Sequence, residues 1–247
     1  MIINNDKRIG NVIFIVEGEK TESKIIRDVF NKIFGFTVYQ NNKNEDFINL
    51  KKDKDKYSKI FIIKNEKPQL STVLNETMYI ENIFQKLVSY NLNPYESAIY
   101  YIFDRDYNDI NVINTLINKL SNSRENDNFD LHGLLLLSYP CIESFYMNCR
   151  KDHIDVSKSA QLKSYVRQRR YKNINKELLL NGINEFMRII DEELGIHFSI
   201  NDLDSFQKVN SSIFEQNETY FNETNCFKIL SLFFISLIDL GLIEFKE

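Results

Sequence analysis

Asn11-Val-Ile-Phe-Ile-Val-Glu-Gly-Glu-Lys-Thr-Glu22 decides how this chain is read. Its first six residues form an apolar run rich in β-branched side chains, the pattern of a strand covered on both faces. The run stops abruptly at Glu17-Gly18-Glu19, and Gly18 suits a sharp turn in which the backbone approaches a phosphate closely. Thr21 is placed to cap a helix, because Ile25, Ile26, Val29, Phe30 and Ile33 follow at helical spacing before Gly35 ends the pattern. The segment therefore predicts a buried strand, a short acidic turn and a helix.

The same form recurs downstream. Ser97-Ala-Ile-Tyr-Tyr-Ile-Phe103 is an apolar strand that ends in Asp104-Arg105-Asp106, and helical spacing resumes at Ile110, Ile113, Leu116, Ile117 and Leu120. Further strands are expected at residues 36–39, 59–63 and 131–137, with a polar, lysine-rich loop between the first two. Helices are expected at residues 78–90 and from Ile142 to Cys149, the latter after Pro140. Strands alternating with helices imply an α/β fold with a mostly parallel sheet flanked by helices, and ligands in such sheets bind at the carboxyl ends of the strands. After about residue 150 the strand signal fades. Residues 1–150 are thus expected to form an α/β domain and residues 151–247 a helical C-terminal region, including an apolar helix from Phe227 to Leu242.

Composition narrows the class. The chain has 247 residues, 43% of them hydrophobic, with only 7 Gly and 3 Pro, which excludes disordered, collagenous and low-complexity proteins and leaves one or two folded domains. The apolar stretch from Cys226 to Ile243 is interrupted by Lys228, Ser231, Ser236 and Asp239, so it reads as a core helix rather than a membrane span. The opening residues lack an apolar secretory segment, so a cytoplasmic location without membrane attachment is expected. Cys141, Cys149 and Cys226 contain no Cys-x-x-Cys pair and suggest reduced thiols rather than a disulfide framework or a zinc site.

Glu17, Asp104 and Asp106 each lie just past a strand too apolar to be exposed. Carboxylates gathered at one sheet edge repel one another unless they are paired with a cation, protonated, or bound to a hard metal ion. An oxygen-only set favours Mg²⁺ or Mn²⁺, which can bridge a phosphodiester and activate water. Taken singly, each acid also fits an ordinary capping role in a strand-to-helix turn. Lys20 and Arg105 stand beside the acids, either to contact substrate phosphate or to neutralise their neighbours in salt bridges.

The two acidic segments, Val16-Glu17-Gly18-Glu19 before a helix and Phe103-Asp104-Arg105-Asp106 after a later strand, resemble the paired signature motifs of Toprim domains, found in topoisomerases, DnaG-type primases and OLD-type nucleases. The fuller Glu17-Gly-Glu-Lys-Thr-Glu22 is similar to the opening of RloB-like proteins, a Toprim-related group associated with restriction loci and abortive phage infection. Ser138-Tyr-Pro-Cys-Ile-Glu143 resembles a later segment of that group, with Tyr139 in place of Asn and Ile142 in place of Phe. The resemblance spans residues 11–150. It implies a Toprim-like core in which Glu17, Asp104 and Asp106 hold metal, with Glu143 as a further ligand or substrate-positioning group. Glu22 either faces the same edge or complements its helix dipole.

The formal charge of −4 would argue against a nucleic-acid partner if it were evenly spread, and it is not. From Arg150 to Lys176 there are nine Lys or Arg against two Asp, a local balance of +7. Lys163, Arg167, Arg169, Arg170 and Lys172, with Tyr165 and Tyr171 among them, combine cations for phosphates with aromatic faces for bases; the same pattern also describes a solvated helix face. The expectation is a Mg²⁺- or Mn²⁺-dependent nuclease acting on DNA or RNA, with phage defence as the setting that the resemblance implies. No Walker-type Gly-x-x-x-x-Gly-Lys-Ser/Thr motif occurs, so an associated ATPase or an inhibitory protein would be a separate partner, and homo-oligomer formation is left open. The alternative is a non-catalytic module that binds nucleic acid or protein and keeps the acids as a regulatory metal site or salt-bridge cluster.

Overall fold

The computed structural model describes residues 1–18, 20–40, 47–53, 55–65, 76–105, 109–124, 133–197 and 205–245. Its centre is an eight-stranded mixed sheet. Four parallel strands form the middle, in the order β5 (Asp55–Lys64), β2 (Asn11–Val16), β6 (Ser97–Asp104) and β8 (Gly133–Tyr139). β3 (Phe36–Gln40) and β4 (Phe47–Lys52) continue it antiparallel beyond β5. The short β7 (Ser121–Asn122) and β9 (Leu230–Ser231) pair antiparallel with β8. A separate two-stranded ribbon joins β1 (Ile2–Ile3) to β10 (Ile243–Glu244).

The parallel centre follows from the sequence pattern. Val12 to Val16 and all eight residues of β6 are buried, as expected of strands with helices on both faces. Right-handed crossovers then decide the faces. The path from β2 towards β5 carries α1 (Thr21–Lys32), while α2 (Glu76–Ser89) leads from β5 to β6 and α3 (Ile110–Lys119) from β6 to β8. These last two connections run in the opposite direction along the sheet and place their helices on the opposite face. The chain thus reverses its winding between β2 and β6, and the crevice at such a point is where open α/β sheets bind ligands.

On the α1 face, Phe14 meets Phe30 of α1 at 5.7 Å and stacks on Tyr100 at 5.3 Å. The same ring lies 6.0 Å from Phe233 of α8 (Phe233–Asp239), which is also packed against Phe145 of α4 (Ser144–Arg150). α6 (Lys176–Arg188) closes on this layer at Gly182, where an added Cβ would lie 2.7 Å from the Phe234 ring. α5 (Ser159–Gln168) packs beside α4, and α7 (Ser205–Thr224) covers the other face against α3, β7 and β8.

Several expectations are corrected here. The strands at residues 36–39, 59–63 and 97–103 are present, but the lysine-rich stretch expected to be only a loop contains β4. Thr21 is the first helical residue rather than the cap, which falls at Lys20 without a side-chain capping bond. The apolar stretch 227–242 is buried as expected but is not one helix. It forms β9, the seven-residue α8 and a turn leading into β10. Phe233, Phe234 and Leu237 are buried in the same apolar cluster as Phe14 and Val29. The three cysteines are free thiols, with Cys141 and Cys149 buried and Cys226 half-buried. Among the described residues no helix is long and apolar enough to cross a membrane.

Candidate functional site: an acidic strand edge beside a basic cleft

The register of the parallel strands brings the two acidic motifs together. Val16 pairs with Ile102, and the Glu17 backbone N–H continues the ladder by donating to the Ile102 carbonyl at 3.3 Å. Glu17 and Asp104 therefore end neighbouring strands at the reversal point. The Asp104 backbone N–H donates to Glu17 Oε2 at 2.8 Å, which fixes the first carboxylate against the second strand.

The segment after β8 completes the edge. The Ile142 backbone N–H donates to Asp104 Oδ1 at 2.8 Å, and Glu143 follows at the start of α4. Glu143 is only 8% exposed, and its Oε2 is buried with no hydrogen-bond partner among the described residues. Glu22, in the first turn of α1, is also buried. A Cβ on Gly18 would collide with the Glu22 carboxylate oxygens, so the space that glycine leaves is filled by this acid rather than kept open for a phosphate. Glu22 thus faces the edge and feels the charge of Glu143.

Burial dominates the electrostatics. Desolvation, reinforced by the Asp104 and Glu22 charges, pushes Glu17 from 4.5 up to about 8. Desolvation likewise raises Asp104 from 3.8 to about 7; the Glu22 and Glu143 charges add to the rise, and Lys163 opposes it. Glu22 is raised for the same first reason. The Cys141 thiol is pushed up by burial and by the Asp104 and Glu143 charges around it. Lys163 of α5 reaches into this group, its Nζ lying 3.3 Å from Asp104 Oδ2. Partial burial pulls the Lys163 ammonium down, but the Asp104, Cys141 and Glu143 charges outweigh it and hold the pKa above its ordinary value.

These features fit a hard cation. A carboxylate set in which Glu17, Asp104 and Glu22 are driven towards protonation, with one buried oxygen of Glu143 unpartnered among the described residues, gains most from a charge that restores ionisation and takes up the free lone pairs. Glu17, Asp104, Glu22 and Glu143 are the described residues that would contribute. Among the described residues no group of three or more His, Cys, Asp or Glu side chains is gathered as an ion site in this conformation. Asp106, expected in the same cluster, lies outside the described residues.

Beside the acids opens a cleft of about 330 Å³ lined by Lys20, Lys24, Glu143, Lys163, Arg167 and Lys172, with Tyr146 and Val166 on its wall. The helix period explains the arrangement. Leu162 and Val166 bury one stripe of α5, and Lys163 and Arg167, each one residue further on, share the adjoining stripe. The structure therefore gathers Lys20, Lys163, Arg167 and Lys172 with Glu143. Lys24 is an addition missed in the sequence, although its position four residues after Lys20 on α1 signals a shared face.

Other expected contacts lie elsewhere. Among the described residues Arg105 turns to α7 rather than to the cleft. It is 7% exposed, and its Nε and Nη2 donate to Glu218 Oε1 and Oε2 of α7 at 2.5 and 2.7 Å. Arg105 thus forms a salt bridge, but to a distant acid on α7 rather than to the neighbouring carboxylates. Arg169 lies over the Tyr165 ring at 4.4 Å and approaches Asp152 at 3.9 Å. Arg150 covers Tyr171 at 4.5 Å. Both tyrosine hydroxyls donate to Asp152 Oδ2, so each ring already serves an internal cluster rather than standing clear for bases. Arg170 is exposed in a left-handed turn after α5 and is not part of the cleft wall.

No protein-family model, curated protein or solved structure matches this chain.

Proposed function

We propose that the protein is a divalent-metal-dependent nuclease with its catalytic centre at the carboxyl ends of β2 and β6. One observation carries this reading: acids from two neighbouring strand ends, the half-buried Glu17 and the buried Asp104, adjoin a basic cleft that shares Glu143 and Lys163 with them. The order of the acidic segments, which resembles that of Toprim domains, supports the same chemistry, and Asp106 is retained as a ligand on that resemblance. Mg²⁺ or Mn²⁺ bound there would supply Lewis acidity and lower the pKa of a coordinated water.

The chain's own residues supply position and charge. Glu17 and Asp104 are held by backbone N–H donors on neighbouring segments, so their geometry is set before any ligand arrives. Lys20, Lys163, Arg167 and Lys172 offer ammonium and guanidinium groups to a phosphate backbone in the cleft, which explains how a chain of net charge −4 can hold a polyanion. Phage defence as the biological setting, with a separate ATPase or inhibitor, rests on the RloB-like resemblance of residues 17–22 and 138–143 alone.

Labelled DNA and RNA, including tRNA, incubated with Mg²⁺, Mn²⁺ or EDTA test the reading. Cleavage is expected only with metal, and Glu17→Gln and Asp104→Asn should each lower the rate by roughly 10³-fold or more. Cleavage that persists in EDTA or in both variants would exclude the metal mechanism. Nucleic-acid binding without cleavage under all these conditions would favour the non-catalytic module.

A further inference from the structure

The acidic edge and the basic cleft are two sites with a shared boundary. Glu143 lines the cleft while its charge acts on Asp104 and Glu22, and its buried Oε2 has no hydrogen-bond partner among the described residues. Lys163 lines the same cleft yet points its ammonium at Asp104. We propose that Lys163 is a transferable counter-cation: it neutralises Asp104 while the edge holds no ion, and passes to a phosphate group in the cleft when a divalent cation takes its place. This inference rests on the reading of Glu17 and Asp104 as the cation site.

The geometry of the pair favours transfer. Lys163 approaches one oxygen of Asp104 at 3.3 Å, and its side chain is 48% exposed. A lysine ammonium is a point charge on a flexible four-carbon stem and can turn without moving its helix. A dication beside Asp104 would repel the ammonium within a few ångströms, where the Coulomb cost is steep even at a protein surface. The nearest compensating position is the cleft, where Lys20, Arg167 and Lys172 already favour an anion. Released from Asp104, Lys163 adds a further cation to that subsite. Cation and phosphate binding must then reinforce each other, and by linkage the reinforcement is reciprocal.

Mn²⁺ binding measured by calorimetry, alone and with adenosine 5′-monophosphate as the phosphate probe, separates the outcomes. For the unaltered protein the nucleotide should tighten Mn²⁺ binding roughly 5-fold or more, beyond the direct association of Mn²⁺ with the nucleotide measured without protein. Lys163→Met, with Lys163→Gln as a second variant, should bind Mn²⁺ alone several-fold more tightly than the unaltered protein and show no reinforcement. Mn²⁺ binding that is lost in Glu17→Gln but unchanged or weakened in both Lys163 variants would overturn the transfer and leave the cation site standing. Reinforcement that survives in both variants would overturn it equally. Absence of Mn²⁺ binding in the unaltered protein, or binding undiminished in Glu17→Gln, would remove the cation site and the transfer together.

Discussion

Asp104 and Arg105 are neighbours in the chain, yet their charges have opposite fates. Asp104 meets a half-exposed lysine through one 3.3 Å contact at the rim of an open cleft. Arg105 meets Glu218 through two parallel bonds, with both side chains almost wholly withdrawn from water. The strand alternation sends successive side chains to opposite sides, one towards the ligand edge and α5, the other under α7. The bidentate fork is matched in geometry and desolvated, so it fixes structure, whereas the single-point pair can exchange partners. A charged residue inside a catalytic-looking motif is thus assigned by the helix that covers it, not by its sequence neighbours.

Cutting each pair should expose that difference most clearly. Arg105→Met leaves the Glu218 carboxylate buried without its partner and should cost about 3–5 kcal/mol, whereas replacing both residues with apolar ones should recover much of the loss. Lys163→Met should cost less than about 1 kcal/mol, because Asp104, already raised to about 7, can take up a proton when its lysine is gone. Urea unfolding in EDTA measures both, and equal losses would break the comparison.

pH sharpens it. Glu17 and Asp104 bind protons more tightly in the folded chain, at about 8 and 7, than at their ordinary 4.5 and 3.8. Between roughly pH 4.5 and 8 the folded state keeps protons that the unfolded state has released, so their contribution to stability is complete at the acid end and is lost as pH rises. In metal-free protein the loss from pH 5 to pH 8 should be on the order of 3 kcal/mol for each acid. Glu17→Gln keeps an amide oxygen for the Asp104 N–H but cannot ionise, and should flatten the profile. Denaturant midpoints at pH 5, 6.5 and 8 check this, and a profile as steep in Glu17→Gln as in the unaltered protein would mean that the acid does not titrate as described.

How much of this was legible in the sequence depended on whether the signal was local. β2 and β6 are continuous apolar runs, and the acids that end them are adjacent because parallel strands at a winding reversal share an edge. β4 was obscured because Phe-Ile-Asn-Leu-Lys-Lys at residues 47–52 has one fully buried position, Leu50, between half-buried polar ones. α7 was missed because its inward face includes Asn210, Asn217 and Glu218, which dilute the helical period. The stretch 227–242 is apolar at most positions and its few polar residues mark no single face, so periodicity alone does not separate strand from helix. The Arg105 to Glu218 pair spans 113 positions and the Lys163 to Asp104 pair 59, contacts that only the assembled layers create.

The same division between engaged and available cations continues along α5 and sets the smallest effect. Arg167 and Lys172 line the cleft, whereas Arg169 lies over Tyr165 and faces Asp152. A cation that neutralises a phosphate releases condensed counterions, so each such contact adds somewhat less than one to the slope of log affinity against log salt. Arg167→Ala and Lys172→Ala should each lower that slope by about 0.7–0.9 for a nucleic-acid strand, measured by anisotropy across a salt series. Arg169→Ala should leave the slope unchanged, because its charge is already spent on Asp152 and its plane on the tyrosine. A slope that drops as far with Arg169→Ala as with Arg167→Ala would show that the whole basic segment, not the cleft, meets the phosphates, and the line drawn between inward and outward charges would then fail at this helix.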